Sequence, residues 1–239
     1  MALTRDYDRF TPGKILKLTL KSGMVINLSE RHSLVGHWLS EIRDVQIQAD
    51  RMRFRRNLER IGEVAAYEIS REMTYRSLEI TTSLGISKSF VLEEQPVLAT
   101  ILRAGLPLHQ GLLNYFDQAD HAFVTAYRHH ATSDSFDIQM DYLSCPPLEG
   151  RFLILADTML ATGASLVKTI HRLLEYGQPS AIHVVTAIAS RTGIEKVQKL
   201  AGKLKIWAAA IDEELNGQGY IVPGLGDAGD LAYGEKKQQ

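Results

Sequence analysis

The stretch RFLILADTMLATGASLVKTIHRLL, from Arg151 to Leu174, constrains the fold more than any other part of the chain. Phe152 to Ala156 is an apolar run with the length of a buried parallel strand. Asp157 stands at its carboxyl end. A loop of small and hydroxyl residues follows, Thr158 to Ser165, and then Leu166, Ile170, Leu173 and Leu174 recur at helical spacing. Thr162, Gly163, Ala164 and Ser165 would offer backbone N–H groups and two hydroxyls at a helix N-terminus, where the dipole favours an anion. Their small side chains let a phosphate come close to the backbone. Asp157 cannot bind a phosphate. It could accept hydrogen bonds from sugar hydroxyls beside one and help fix a metal. Taken alone, the pattern also fits a Rossmann-like turn with no ligand.

A chain of 239 residues suits one large domain, or one domain with a small attachment. Its 45% hydrophobic content is enough for a substantial core. The net charge of −1 provides no basic field for nucleic acid, so anionic ligands must be met by local arginines and backbone. No apolar run approaches the length of a membrane span, and Met1 to Thr11 lacks the apolar centre of a signal peptide. Cys145 is the single cysteine, which rules out an intramolecular disulfide and a multi-thiolate zinc site. A reduced, cytoplasmic enzyme or binding protein is expected.

Residues 1–13 are polar and expected to be loose. Lys14 to Leu20 and Met24 to Leu28, divided by Lys21-Ser22-Gly23, read as a hairpin. His32 to Ile42 and Ala49 to Met73 read as helices, the second with an apolar stripe of Met52, Leu58, Ile61, Ala65 and Ile69. Arg51, Arg53, Arg55 and Arg56 cluster there and read as a solvated face or partner contacts. His32 and His37 read as packing or capping residues, having no carboxylate or thiol at ligand spacing. Leu78 to Thr82 and Phe90 to Leu92 are short strand candidates around Gly85. Val97 to Leu102 is a strong buried strand that runs into Arg103-Ala104-Gly105, with a helix from Leu106 to Phe116. A guanidinium at that strand end suits pyrophosphate through paired N–H donors.

His121 to Ala126 is the next strand and ends in Tyr127-Arg128. The polar, turn-rich segment from His129 to Tyr142 reads as a hairpin arm. His129 and His130, adjacent on a strand, would point to opposite faces and not share an ion. Strands at Ile182 to Ala189 and Leu204 to Ala209 flank a helix at Thr192 to Leu200. Alternation from 97 to 211 gives an α/β fold: a central parallel sheet with right-handed crossovers and flanking helices, plus the N-terminal helices and the arm. The tail from Lys236 to Gln239 looks disordered. Tyr220 to Asp230, YIVPGLGDAGD, holds three glycines and a proline interleaved with apolar residues, which is not a linker composition.

These motifs resemble those of the uracil phosphoribosyltransferase family. The family's phosphoribosyl pyrophosphate (PRPP) loop usually reads DPMLATGGS; here it reads DTMLATGAS, with Thr158 for a proline and Ala164 for a glycine. ILRAG at 101–105 and YIVPGLGDAGD match letter for letter. His32/Leu34/His37, Phe54/Arg55, Tyr67/Glu68, Tyr127-Arg128, Ala210 to Glu213 and Leu215-Asn216 follow the family pattern too. The resemblance covers roughly residues 32 to 234, least well in the arm, and implies one phosphoribosyltransferase-like domain over 1–239.

It also implies a pyrimidine-salvage reaction in which uracil and PRPP give UMP and pyrophosphate, with Mg²⁺ carried on PRPP. Thr158, Met159, Leu160, Ala161, Thr162, Gly163, Ala164 and Ser165 would hold PRPP with Asp157 at the ribose hydroxyls. Arg103 and Arg128 would bind pyrophosphate, and Asp227 would reach PRPP or its metal. Ile221, Gly226, Asp227 and Ala228 would meet the uracil edge. The implied partners are these small molecules, a second copy of the chain in a homodimer or larger assembly, and an allosteric nucleotide; neither nucleic acid nor membrane is among them. Thr158, Ala164 and the altered arm leave an alternative open: a phosphoribosyltransferase-like, nucleotide-binding regulator with little or no turnover.

Overall fold

A computed structural model describes residues 23–132, 135–200 and 204–236; at 23–24, 127–132 and 135–139 it describes backbone alone. In chain order the elements are β1 (Gly23–Asn27), α1 (Leu34–Arg43), α2 (Arg51–Ser70), β2 (Tyr75–Thr82), β3 (Gly85–Leu92), β4 (Val97–Leu102) and α3 (Leu106–Leu113). Then come β5 (Asp120–Thr125), β6 (Tyr127–Thr132), β7 (Ser135–Gln139), β8 (Leu143–Ser144), β9 (Phe152–Ala156), β10 (Met159–Leu160) and α4 (Ala164–Leu173). The chain closes with β11 (Ala181–Ser190), α5 (Arg191–Gln198), β12 (Leu204–Asp212), β13 (Glu214–Leu215), β14 (Ile221–Val222) and α6 (Ala228–Tyr233).

Apolar strands with no polar alternation must be covered on both faces. The main sheet meets that demand, in the order β1-β12-β11-β9-β4-β5-β8 with β10 joined to β11. Its pairs are parallel except for the short antiparallel edge strand β8. One face buries Leu98, Ile154, Val185 and Trp207 against Phe54, Leu58, Ile61 and Leu108 of the helices α2 and α3. The other buries Leu153, Leu155, Val184 and Ile206 against Leu166, Ile170 and Leu173 of α4. Helices α2 and α3 cross almost in contact. A Cβ on Gly111 would lie 2.0 Å from the Glu59 carbonyl oxygen, and one on Gly62 would lie 2.4 Å from that of Leu108.

Several expectations are corrected. Met24 to Leu28 is expected in a hairpin with Lys14 to Leu20; Gly23–Asn27 pairs in parallel with Leu204–Asp212 along one edge. Lys14 to Leu20 lies outside the described residues. Met52 leaves the apolar stripe and is 64% exposed, while Phe54 takes the buried position. Within the arginine cluster, expected as a solvated face or partner contacts, Arg53 pairs with Glu41 and Arg56 with Glu59 while both stay about half exposed. Two short strand candidates around Gly85 are in fact one long hairpin with eight residues in each strand. The arm is a hairpin, β6 against β7.

Candidate active site

Strands β4 and β9 lie side by side and parallel, Val97 opposite Leu153 and Thr100 opposite Ala156. Their carboxyl ends therefore bring Arg103-Ala104-Gly105 and Asp157-Thr158 together. The contact is direct: Thr158 Oγ1 donates to the Ala104 carbonyl at 2.5 Å. The Thr158 carbonyl in turn accepts from Thr186 Oγ1 at 3.1 Å and from the N–H groups of Ala187 and Ile188. Threonine at this position supplies a side-chain link between two loops that proline could not make.

The left-handed turn of the loop falls on Gly163, with φ +74°, and Ala164 is the first residue of α4. The loop is braced from α5. Ser190 Oγ donates to the Ala161 carbonyl at 2.5 Å, and a Cβ on Gly193 would sit 2.3 Å from that same oxygen. Sequence reading expected an unbroken loop from Thr158 to Ser165; Met159–Leu160 instead pairs in parallel with Ile188 and Ala189. Thr162 Oγ1 accepts from the Ala164 N–H at 3.4 Å. Asp157 retains some exposure as a residue, yet its carboxyl is desolvated. Burial pushes it up to about 7, against hydrogen bonds from the N–H groups of Met159 and Thr158 that pull the other way.

The third component is the C-terminal segment, and an ion pair that sequence reading missed anchors it. Arg43 of α1 holds Asp212 with both ends of its guanidinium, at 2.9 and 2.8 Å, and also donates to the Gly224 carbonyl. Asp212 accepts from the Gly224 N–H as well, at 2.9 Å. Gly224 and Gly226 take φ of +56° and +96°, conformations that suit glycine. Ile221 is buried, and Asp227 caps α6 by accepting from the Asp230 N–H at 3.0 Å. Helix α6 itself was not foreseen.

Arg103 Nη2 lies 3.1 Å from Asp230 Oδ1 and 3.2 Å from the Gly234 carbonyl oxygen. Lys236 Nζ lies 3.0 Å from Asp227 Oδ2, so at least this residue of the expected disordered tail is placed by ionic contacts; 237–239 lie outside the described residues. Burial raises Asp227, but the Asp230 N–H and the Lys236 ammonium outweigh it and hold the carboxyl below its ordinary value. Arg128 is on β6, which follows β5 from the same sheet edge, and its side chain lies outside the described residues. A cavity of about 520 Å³ opens between α2, α3 and β5 beside His109 and His121, and none of the residues expected at the site lines it.

A parallel sheet whose carboxyl edge joins an acidic strand tip, a loop capping a helix and an arginine turn defines a phosphoribosyltransferase. The family model described as uracil phosphoribosyltransferase matches residues 29–235. The uracil phosphoribosyltransferase of Porphyromonas gingivalis is 50% identical over 213 residues, covering 89% of this chain and 99% of that protein. That of Methanothermobacter thermautotrophicus is 37% identical over 76% of this chain and 83% of its own length. Among solved structures, the AQ2163 protein from Aquifex aeolicus is 29% identical with a TM-score of 0.78, over 88% of this chain and 98% of that one. The chain belongs to the uracil phosphoribosyltransferase family.

Proposed function

We propose that this chain transfers the phosphoribosyl group of PRPP to uracil, giving UMP and pyrophosphate in pyrimidine salvage. The observation that carries this reading is the physical joining of three loops. Thr158 bonds to Ala104, and Arg103 bonds to Asp230. Groups suited to phosphate, pyrophosphate and base are thereby held at one sheet edge.

Uracil N1 attacks the ribose C1 while the bond from C1 to the pyrophosphate oxygen breaks. The electron pair leaves with pyrophosphate, the N1 proton passes to solvent, and no side chain is assigned as its base. Backbone N–H groups at Thr162 to Ser165 bind the 5-phosphate at the N-terminus of α4. Asp157 accepts from the ribose hydroxyls and fixes the sugar in line. Arg103 and Arg128 draw off the developing negative charge. Backbone groups of Ile221 and of Gly226 to Ala228 read the uracil edge. The carboxylates of Asp157 and Asp227 are oxygen donors of the kind that would hold Mg²⁺, and Mg²⁺ carried on PRPP would supply neutralisation of the pyrophosphate charge. We place the enzyme in the cytoplasm as a homodimer or larger assembly.

The test is UMP formation from uracil and PRPP, run beside cytosine. Turnover with uracil excludes the silent regulator. A backbone N–H placed for the uracil 4-oxo group would oppose the cytosine amino group, and such sites reject analogues by about 10⁴ or more. Comparable rates with the two bases would overturn the proposed pocket.

A further inference from the structure

We propose that Lys236 is a positioning residue of the substrate site: its ammonium neutralises Asp227 and Asp230 and so leaves Arg103 available to an incoming pyrophosphate group. The inference rests on the reading that Arg103 meets the pyrophosphate end of PRPP.

Four charged groups form one cluster. Arg103 Nη2 and Lys236 Nζ both approach Asp230 Oδ1, at 3.1 and 3.4 Å, and Lys236 also holds Asp227 Oδ2 at 3.0 Å. Two cations and two carboxylates sum to zero. Remove the lysine and the cluster is net negative where a multiply charged anion must dock. Among the described residues Arg103 would then be the sole cation paired with Asp230, and the anion would have to compete with that carboxylate for it. With the lysine present, exchange is cheap. As Arg103 turns to the anion, Asp230 is already within reach of an ammonium that has three donors.

The backbone sets this up. Gly234, at φ +87°, turns the chain at the end of α6, so that its own carbonyl meets Arg103 while the chain runs on to bring Lys236 beside Asp227. Gly229 keeps the helix close: a Cβ there would lie 3.2 Å from Asp227 Oδ1 and 3.8 Å from Arg103 Nη2. All four side chains are about a third exposed, so the effect is screened by salt. Burial lowers Lys236, but Asp227 and Asp230 more than restore it, and the ammonium stays charged at neutral pH.

The experiment is calorimetric titration of the full chain with magnesium pyrophosphate at low salt, for the parent, Lys236→Gln, Asp230→Asn and the double variant, with Arg103→Gln as control. Lys236→Gln is expected to weaken pyrophosphate about three- to tenfold, less at high salt. In the Asp230→Asn background the same change should cost less than about twofold, since the carboxylate it offsets is gone. In turnover, Lys236→Gln should raise the KM for PRPP more than it lowers kcat, and leave the KM for uracil in place. Parent-like binding by Lys236→Gln would overturn the proposal. An undiminished loss in the Asp230→Asn background would overturn it too, since the lysine would then touch the anion itself. Equal losses for uracil and pyrophosphate with a lowered Tm would mean a merely structural role and overturn it as well. If Arg103→Gln binds pyrophosphate as the parent does, the reading of Arg103 is wrong, and this inference goes with it.

Discussion

Asp157 is the residue where chemistry and stability pull apart. Its carboxyl titrates near 7 in the folded chain because burial disfavours the charge, whereas an ordinary aspartate titrates at 3.8. In the proposed reaction the ionised form is the one that would accept from both ribose hydroxyls. The kcat/KM for PRPP should therefore fall as pH drops through about 7, and Asp157→Asn should lose that limb along with about ten- to a few hundredfold in activity. Stability runs the other way. As pH rises from about 4 to 7 the unfolded chain gives up this proton and the folded chain keeps it, so ionisation increasingly opposes folding. Asp157→Asn should then melt near the parent at pH 4 and above it at pH 8; a lower Tm at pH 8 would contradict this account. The neutral His109 follows the same rule with opposite sign: burial first, then the neighbouring His121, brings it down to about 4.

At the scale of elements, the loop into α4 separates two adjacent residues. Gly163 holds the positive φ, and a Cβ there would also lie 2.9 Å from the Gly193 carbonyl oxygen. Gly163→Ala should cost on the order of 1–2 kcal/mol in loop geometry and raise the KM for PRPP roughly tenfold or more. Ala164 is helical, where alanine is favoured, so Ala164→Gly should change that KM by less than about tenfold. A hundredfold gain in PRPP affinity from Ala164→Gly would reverse the assignment. The long strands β4, β5, β9, β11 and β12 and the loop into α4 are readable in the sequence because unbroken apolar runs with polar tips leave few alternatives. The partner of β1 was not, since a strand's own residues do not name its neighbour. Helix α6 was hidden because AGDLAY has the composition of a loop; what makes it helical is the Asp227 cap and its seat beside Arg103. The bond from Arg43 to Asp212 depends on a fold that brings positions 169 apart into contact, which no local pattern records. Lys236 reads as part of a polar tail because its partners Asp227 and Asp230 come beside it only where the chain turns after α6.

For the whole molecule, the hairpin of β2 and β3 is the feature least explained by one chain. Tyr75, Leu78, Ile80, Ile86 and Phe90 are all exposed, and the register places apolar side chains on both of its faces. An isolated two-stranded hairpin is marginal in water, and one with apolar surface on both sides calls for cover. The expected arm at 129–142 has its backbone in a second hairpin, and Tyr75, Leu78, Ile80, Leu84, Ile86 and Phe90 concentrate exposed apolar surface on the hairpin at 75–92. A homodimer or larger species in light scattering at micromolar concentration is expected, and Ile80→Lys combined with Phe90→Lys should shift it toward monomer. A parent protein that is monomeric at that concentration would refute the pairing.

If a second copy supplies that cover, hairpin order is a collective property. A solitary chain would carry a loose, sticky ribbon joined by four residues to α2, which packs on α3, the helix that follows the Arg103 turn. Specific activity would then depend on how much protein is in the tube, and a freshly diluted stock would fade over the time its subunits take to part.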